Sequence, residues 1–155
     1  MEAYPAHGAG KTMAEGDMLI TPVDEPVGVR TAGGAIYTEI ITGRGFDMNS
    51  AIKAGEVFRL AELVPYQDGR IVNMDVVHND KMKLALMAFD EGTGLSPHSA
   101  PGEAIVFALD GEGIIGYGGT EHLIKAGENF RFAKNGLHYV KAKGRFKMAL
   151  LLTLE

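Results

Sequence analysis

The chain has 155 residues, enough for one domain to bury a core without disulfides or a structural metal. Its hydrophobic share of 46% and charged share of 23% exclude a disordered chain, and its net charge of −5, with scattered lysines and arginines, offers no footprint for nucleic acid or an anionic membrane. There is no cysteine, so disulfides, thiolate nucleophiles and thiolate metal sites are out, leaving histidine, carboxylate, hydroxyl and backbone groups for any chemistry. No stretch approaches the ~18 apolar residues of a membrane span, and Met1-Glu2-Ala3-Tyr4-Pro5 lacks the basic and apolar regions of a signal peptide. The expected location is the cytoplasm.

Residues 1–56 read as an arm rich in Gly, Pro, Thr and Asp, and the core is expected to begin near Val57, giving a domain over 57–155. Within the arm, Gly8-Ala9-Gly10-Lys11-Thr12 has the look of a phosphate loop. That reading fails, because the earlier glycine would have to stand at Pro5 and no apolar strand precedes the loop. Residues 1–17 are expected to be mobile or loosely docked. Ala35 to Thr42 is strand-prone and bracketed by Gly33-Gly34 and Gly43-Arg44-Gly45, so one strand is expected there, added to an edge of its own barrel or crossing to a neighbouring subunit. One short helical turn is expected over Asn49 to Lys53, stopped by Gly55.

From residue 57 onward, turn signals at Asp68-Gly69, Asn79-Asp80, Gly92 to Gly94, Asp110-Gly111, Gly118-Gly119, Gly127 and Asn135-Gly136 divide the chain into short strands. These are Arg70 to His78, Met82 to Asp90, Glu103 to Asp110, Gly113 to Tyr117, His122 to Lys125, Asn129 to Phe132, His138 to Lys141 and Phe146 to Leu154. Such spacing predicts an all-β sandwich or barrel. In Ile71 to His78, Val72, Met74 and Val76 share a core-facing side while Asn73 and Asp75 face away. Ala104 to Leu109 and Ala149 to Leu152 are nearly continuous apolar runs, so both their faces need cover, from the opposing sheet and from the arm or a second subunit. A homodimer is expected on that ground.

Two segments resemble conserved motifs of the cupin superfamily. Gly94-Leu95-Ser96-Pro97-His98-Ser99-Ala100-Pro101-Gly102-Glu103, running on to Gly111, is similar to the first. Gly127-Glu128-Asn129-Phe130-Arg131-Phe132-Ala133-Lys134-Asn135-Gly136-Leu137-His138 is similar to the second, with His138 in register, Ala133 where proline is usual and Asn135 where glycine is usual. The resemblance covers roughly residues 57–154. It implies a cupin-type jelly-roll barrel, a double-stranded β-helix, with a site at the barrel mouth. A metal-binding cupin carries two histidines separated by one residue and then a glutamate; here Ala100 takes the second histidine's place, and the glutamate register falls on Ala104, one residue after Glu103.

The candidate metal ligands implied are therefore His98, His138 and Glu103, with Glu103 also a candidate general base. Zinc, iron, nickel or manganese are the divalent ions considered, beside no metal at all, in which case the two histidines bind a ligand directly. Met74, Met87, Phe107 and Phe132 are expected to line the pocket. His78 is placed at a hairpin tip, His122 on the outer face and His7 in the arm. The first reading is a metal-dependent enzyme of small-molecule metabolism. Oxygenase, isomerase, lyase and decarboxylase chemistries all occur in the family, and the fold does not choose among them. The alternative is a metal-free carrier or sensor of a small hydrophobic or carbohydrate-like molecule, and a third reading is a structural assembly subunit with a packed interior.

Overall fold

The computed structural model describes residues 1–22, 24–42 and 45–154. In chain order the strands are β1 (Glu2–Pro5), β2 (Lys11–Thr12), β3 (Asp17–Leu19), β4 (Val27–Arg30), β5 (Asp47–Met48), β6 (Val57–Arg59), β7 (Ile71–His78), β8 (Met82–Phe89), β9 (Gly94–His98), β10 (Ala104–Tyr117), β11 (Thr120–Lys125), β12 (Asn129–Phe132) and β13 (His138–Thr153), with one 3₁₀ turn at Leu60–Glu62. The architecture is all-β, as the strand spacing predicts, and is the jelly roll that the cupin resemblance implies.

Two long strands form its spine. β10 and β13 pair antiparallel from Ala104↔Leu152 to Tyr117↔His138, with register shifts between Ala108 and Asp110 and between Gly111 and Gly113. Bulges bend a strand and raise its twist. Each spine strand accordingly changes its outer neighbour along its length: β10 meets β12 and then β11, and β13 meets β9 and then β8. β8 continues to β7 and β5. Gly111 has φ +70°, and a Cβ there would stand 1.9 Å from the Arg145 carbonyl oxygen, so this corner requires glycine. The expected breaks at Asp110-Gly111 and between Lys141 and Phe146 are thus bends inside two continuous strands.

The alternation of side chains divides the apolar residues between two cores. Ala104, Val106 and Ala108 of β10 join Phe89, Phe132, Phe146 and Met148 in an inner core. Leu84, Leu86 and Ala88 of β8, with Ala149 and Leu151 of β13, point the other way into an outer core completed by Met18, Ile20, Ile40, Ile52, Phe58, Val64 and Tyr66. The second face of the apolar runs is therefore covered by residues 18–66 of the same chain, except at Ile105, which stays exposed. Polar contacts hold that cover down. Lys147 Nζ donates to the Ala61 carbonyl at 2.6 Å, and the Tyr66 hydroxyl donates to Asp110 at 2.7 Å. Burial, then the Asp110 bond, push the Tyr66 phenol well above its usual range.

Three expectations in the arm are corrected. Ala35–Thr42 forms no strand: its backbone is irregular, and among the described residues no strand pairs with it. Gly43 and Arg44 of its expected closing turn lie outside the described residues. Asn49–Lys53 is a turn instead of a helix, closed by Ile52 N–H to the Asn49 carbonyl and by Ala51 N–H to the Asn49 side chain. Residues 1–17, expected to be loose, contribute β1 and β2 to a small sheet with β4 and pair β3 with β6.

Candidate functional site

His98 closes β9 and His138 opens β13, and the two residues are direct cross-strand partners. On the other side of His138 stands Tyr117 of β10, so His98, His138 and Tyr117 form one row across three strands. Residues directly opposite one another project from the same face. The imidazole centroids are 4.3 Å apart. The second motif sets His138 in place through a tight turn, in which Gly136 N–H donates to the Ala133 carbonyl and Asn135 takes a left-handed φ of 60°. Asn135 N–H in turn donates to the carbonyl of Ala100, tying the first motif to the second. Pro97 falls on β9, an edge strand, where a missing backbone donor is tolerated.

Both rings are locked in the same way. His98 Nδ1 lies 2.8 Å from the Ser96 carbonyl and His138 Nδ1 lies 2.8 Å from the Gly136 carbonyl. A carbonyl only accepts, so in each ring Nδ1 carries the proton and Nε2 keeps a lone pair. His138 is 6% exposed and stacked on Phe132, with centroids 3.9 Å apart and planes 18° from parallel. Burial lowers its pKa, the Gly136 bond opposes that shift, and His98 lowers it further. Among the described residues no buried side-chain nitrogen or oxygen lacks a hydrogen-bond partner. Among the described residues His138 Nε2 has no hydrogen-bond partner, so it is open to solvent in spite of the ring's burial. His98 is exposed.

A run of rings continues inward from this pair. Phe132 neighbours Tyr117 at 5.6 Å and Phe130 at 5.3 Å, and Phe130 neighbours His122 at 5.1 Å. Tyr117 Oη accepts from Ala133 N–H, which leaves its own proton free to donate. His122 is the correction here: Leu123 is the outward, exposed residue of β11, and His122 shares the inward side of Ile124. Period-two counting from Ile124 would have found it. Tyr117 and Phe130 were also missed as neighbours of the site.

Glu103 does not join the histidines. It precedes β10 and makes a bidentate ion pair with Arg131, at 2.6 and 3.1 Å, on the exposed surface. Its expected roles as ligand and general base have no geometric support, and Ala104, at the usual glutamate register, is buried without a polar group. Among the described residues no three His, Asp or Glu side chains come together as a metal-holding group. Two imidazoles alone do not fit a resident ion of the kind the resemblance implies, since zinc sites, for one, are usually held by at least three protein ligands. The expected pocket residues are also divided. Phe132 and Met87 belong to the inner core, whereas Met74 and Phe107 lie on the opposite face of the sheet in the outer core. His78 is exposed at the end of β7, and His7 is exposed in the arm. An open groove of about 430 Å³ runs along β9 and β13, lined by Leu95, Ser96, Pro97, Tyr139 and Lys141.

Residues 85–154 match the family model described as the cupin domain. The Cupin 2 conserved barrel domain protein from Leptotrichia buccalis is 40% identical over 63% of this chain, with a TM-score of 0.61, and the match spans 47% of that protein. A cupin superfamily protein from Desulfitobacterium hafniense is similar over 67% of this chain and 95% of its own, at 20% identity and a TM-score of 0.65. A predicted oxalate decarboxylase from Thermotoga maritima is similar over 56% of this chain and 83% of its own, at 22% identity and a TM-score of 0.52. At 20 and 22% identity these two likenesses concern the fold. No curated protein matches the chain.

Proposed function

We propose, from the premise that this chain belongs to the cupin superfamily, that it binds a small hydroxyl- or amide-bearing molecule at His98 and His138 without a resident metal ion. The observation that carries this reading is the double lock: both Nδ1 atoms donate to backbone carbonyls, so both Nε2 atoms are left as acceptors. A ligand that donates two hydrogen bonds, such as a polyol or a sugar, satisfies them. Burial keeps His138 neutral at pH 7, so the site selects donors over anions. Tyr117 adds one hydroxyl donor beside the pair.

The same lock favours a second reading, a metal-dependent enzyme, because a backbone carbonyl on Nδ1 is also what orients a histidine toward an ion. Thermal melting against a panel of polyols and sugars in the presence of EDTA separates the two. At a ligand concentration of 100 Kd the stabilisation is about 2.7 kcal/mol, or roughly 5–10 °C for a chain of this size. The expected shift survives EDTA and vanishes in His98→Ala and His138→Ala. A shift that appears only with added zinc, nickel, iron or manganese, at one ion per chain, would replace the proposal with the metal enzyme.

A further inference from the structure

On β11 the polarity of the two faces is inverted. Leu123 points outward and is 47% exposed, while His122, on the side of buried Ile124, is turned inward against Phe130. An imidazole inside and a leucine outside is the reverse of what burial rewards, and a reversal of that kind is expected at a functional site.

His122 also differs from the two locked imidazoles. His98 and His138 each give Nδ1 to a backbone carbonyl, whereas among the described residues neither ring nitrogen of His122 has a hydrogen-bond partner. The ring is half-buried, and no buried side-chain nitrogen or oxygen among the described residues lacks a partner, so its nitrogens reach solvent on the inner side of β11. They are free to meet a ligand.

The strand register connects this ring to the histidine pair. Thr120 lies opposite Tyr117, Tyr117 opposite His138 and His138 opposite His98, so four hydrogen-bonding side chains form one row across β11, β10, β13 and β9. His122 is two residues along β11 from Thr120 and shares its face, opposite Ile115 in the adjoining row. Phe132, Tyr117 and Phe130 fill the space between the two ends with aromatic rings. Gly136 lets the Tyr117 ring lie against the turn before His138, because a Cβ there would stand 2.7 Å from that ring. Neighbouring strands are ~4.8 Å apart, so three spacings carry the row over roughly 14 Å. That span exceeds one pyranose ring and suits two joined rings, whose apolar faces lie on the aromatic side chains while their hydroxyls meet the polar ends.

We propose that the ligand held by His98 and His138 is a polyhydroxylated molecule of disaccharide size, and that His122 and Thr120 hold its far end; this rests on the metal-free reading of the histidine pair. Calorimetric titration of the full chain with glucose, maltose, cellobiose and lactose in EDTA tests it. His122→Phe keeps a ring against Phe130 and removes both nitrogens. It should weaken the tightest disaccharide at least about tenfold and leave glucose within about twofold, whereas His98→Ala should weaken both. The imidazole nitrogen resonances of His122 should move with that disaccharide and stay in place with glucose. Equal loss of glucose and disaccharide in His122→Phe, no loss of either, unmoved His122 resonances, or a wild-type site that takes glucose but no disaccharide would each overturn the inference and leave the histidine-pair reading standing. Wild-type protein that binds none of these sugars would overturn both.

Discussion

Val64→Ala tests whether residues 18–66 are an integral part of the core. Val64 lies in no strand, in the loop just after the 3₁₀ turn, and is 1% exposed. It is buried because residues 60–66 lie on the outer face of the β8–β13 sheet, held by Lys147 on Ala61 and Asp110 on Tyr66. Removing two methyl groups forfeits about 0.8 kcal/mol each in transfer free energy, and the cavity left behind raises the total to about 2 kcal/mol. For a chain of this length that lowers the melting temperature by about 4–8 °C. Leu86→Ala, on the facing strand at 0% exposure, should cost more, about 3 kcal/mol. Leu137→Ala, at 66% exposure, should cost under about 0.5 kcal/mol and serves as the control. Urea unfolding followed by circular dichroism measures all three. If Val64→Ala behaves like the Leu137 control, or if unfolding splits into two transitions, then the segment is a loose appendage and the outer core does not exist in solution.

Three further outcomes follow from particular residues. His138 has a pKa lowered in the folded state from an ordinary value near 6.5, so above that pH its titration leaves stability unchanged. As pH falls below about 6.5 the unfolded chain takes up the proton first, stability declines until the lowered folded pKa is passed, and urea midpoints between pH 8 and 5 should show a slope that His138→Gln removes. Glu103→Gln should leave ligand or metal binding at the histidine pair unchanged, because its partner is Arg131; a binding isotherm displaced more than about twofold would return Glu103 to the site. Gly111→Ala puts a Cβ into the Arg145 carbonyl at a left-handed position and should cost at least about 2 kcal/mol in thermal unfolding, while a variant melting with the wild type would show that the β10 corner is not fixed.

How much of this was legible in the sequence depended on whether a residue's environment is set by its near neighbours or by distant chain. The strands of the jelly roll were legible because alternation and turn residues are local signals, and the two motifs put His98 and His138 into partner positions that the β9–β13 register then brings within ring contact. Gly111 misled because a bulge and a turn ask for the same residue; what decides between them is the β13 partner continuing on both sides, Lys147 before and Ala142 after. His122 misled because leucine was given the inner face by hydrophobicity, although Ile124 shares the parity of His122 and is the buried one. The apolar runs showed that a second cover was needed, but not its source, since Met18, Ile52, Phe58 and Val64 are scattered without a period over residues 18–64. Ala35–Thr42 is the converse case: its propensity is strong and local, yet a strand is a property of two segments.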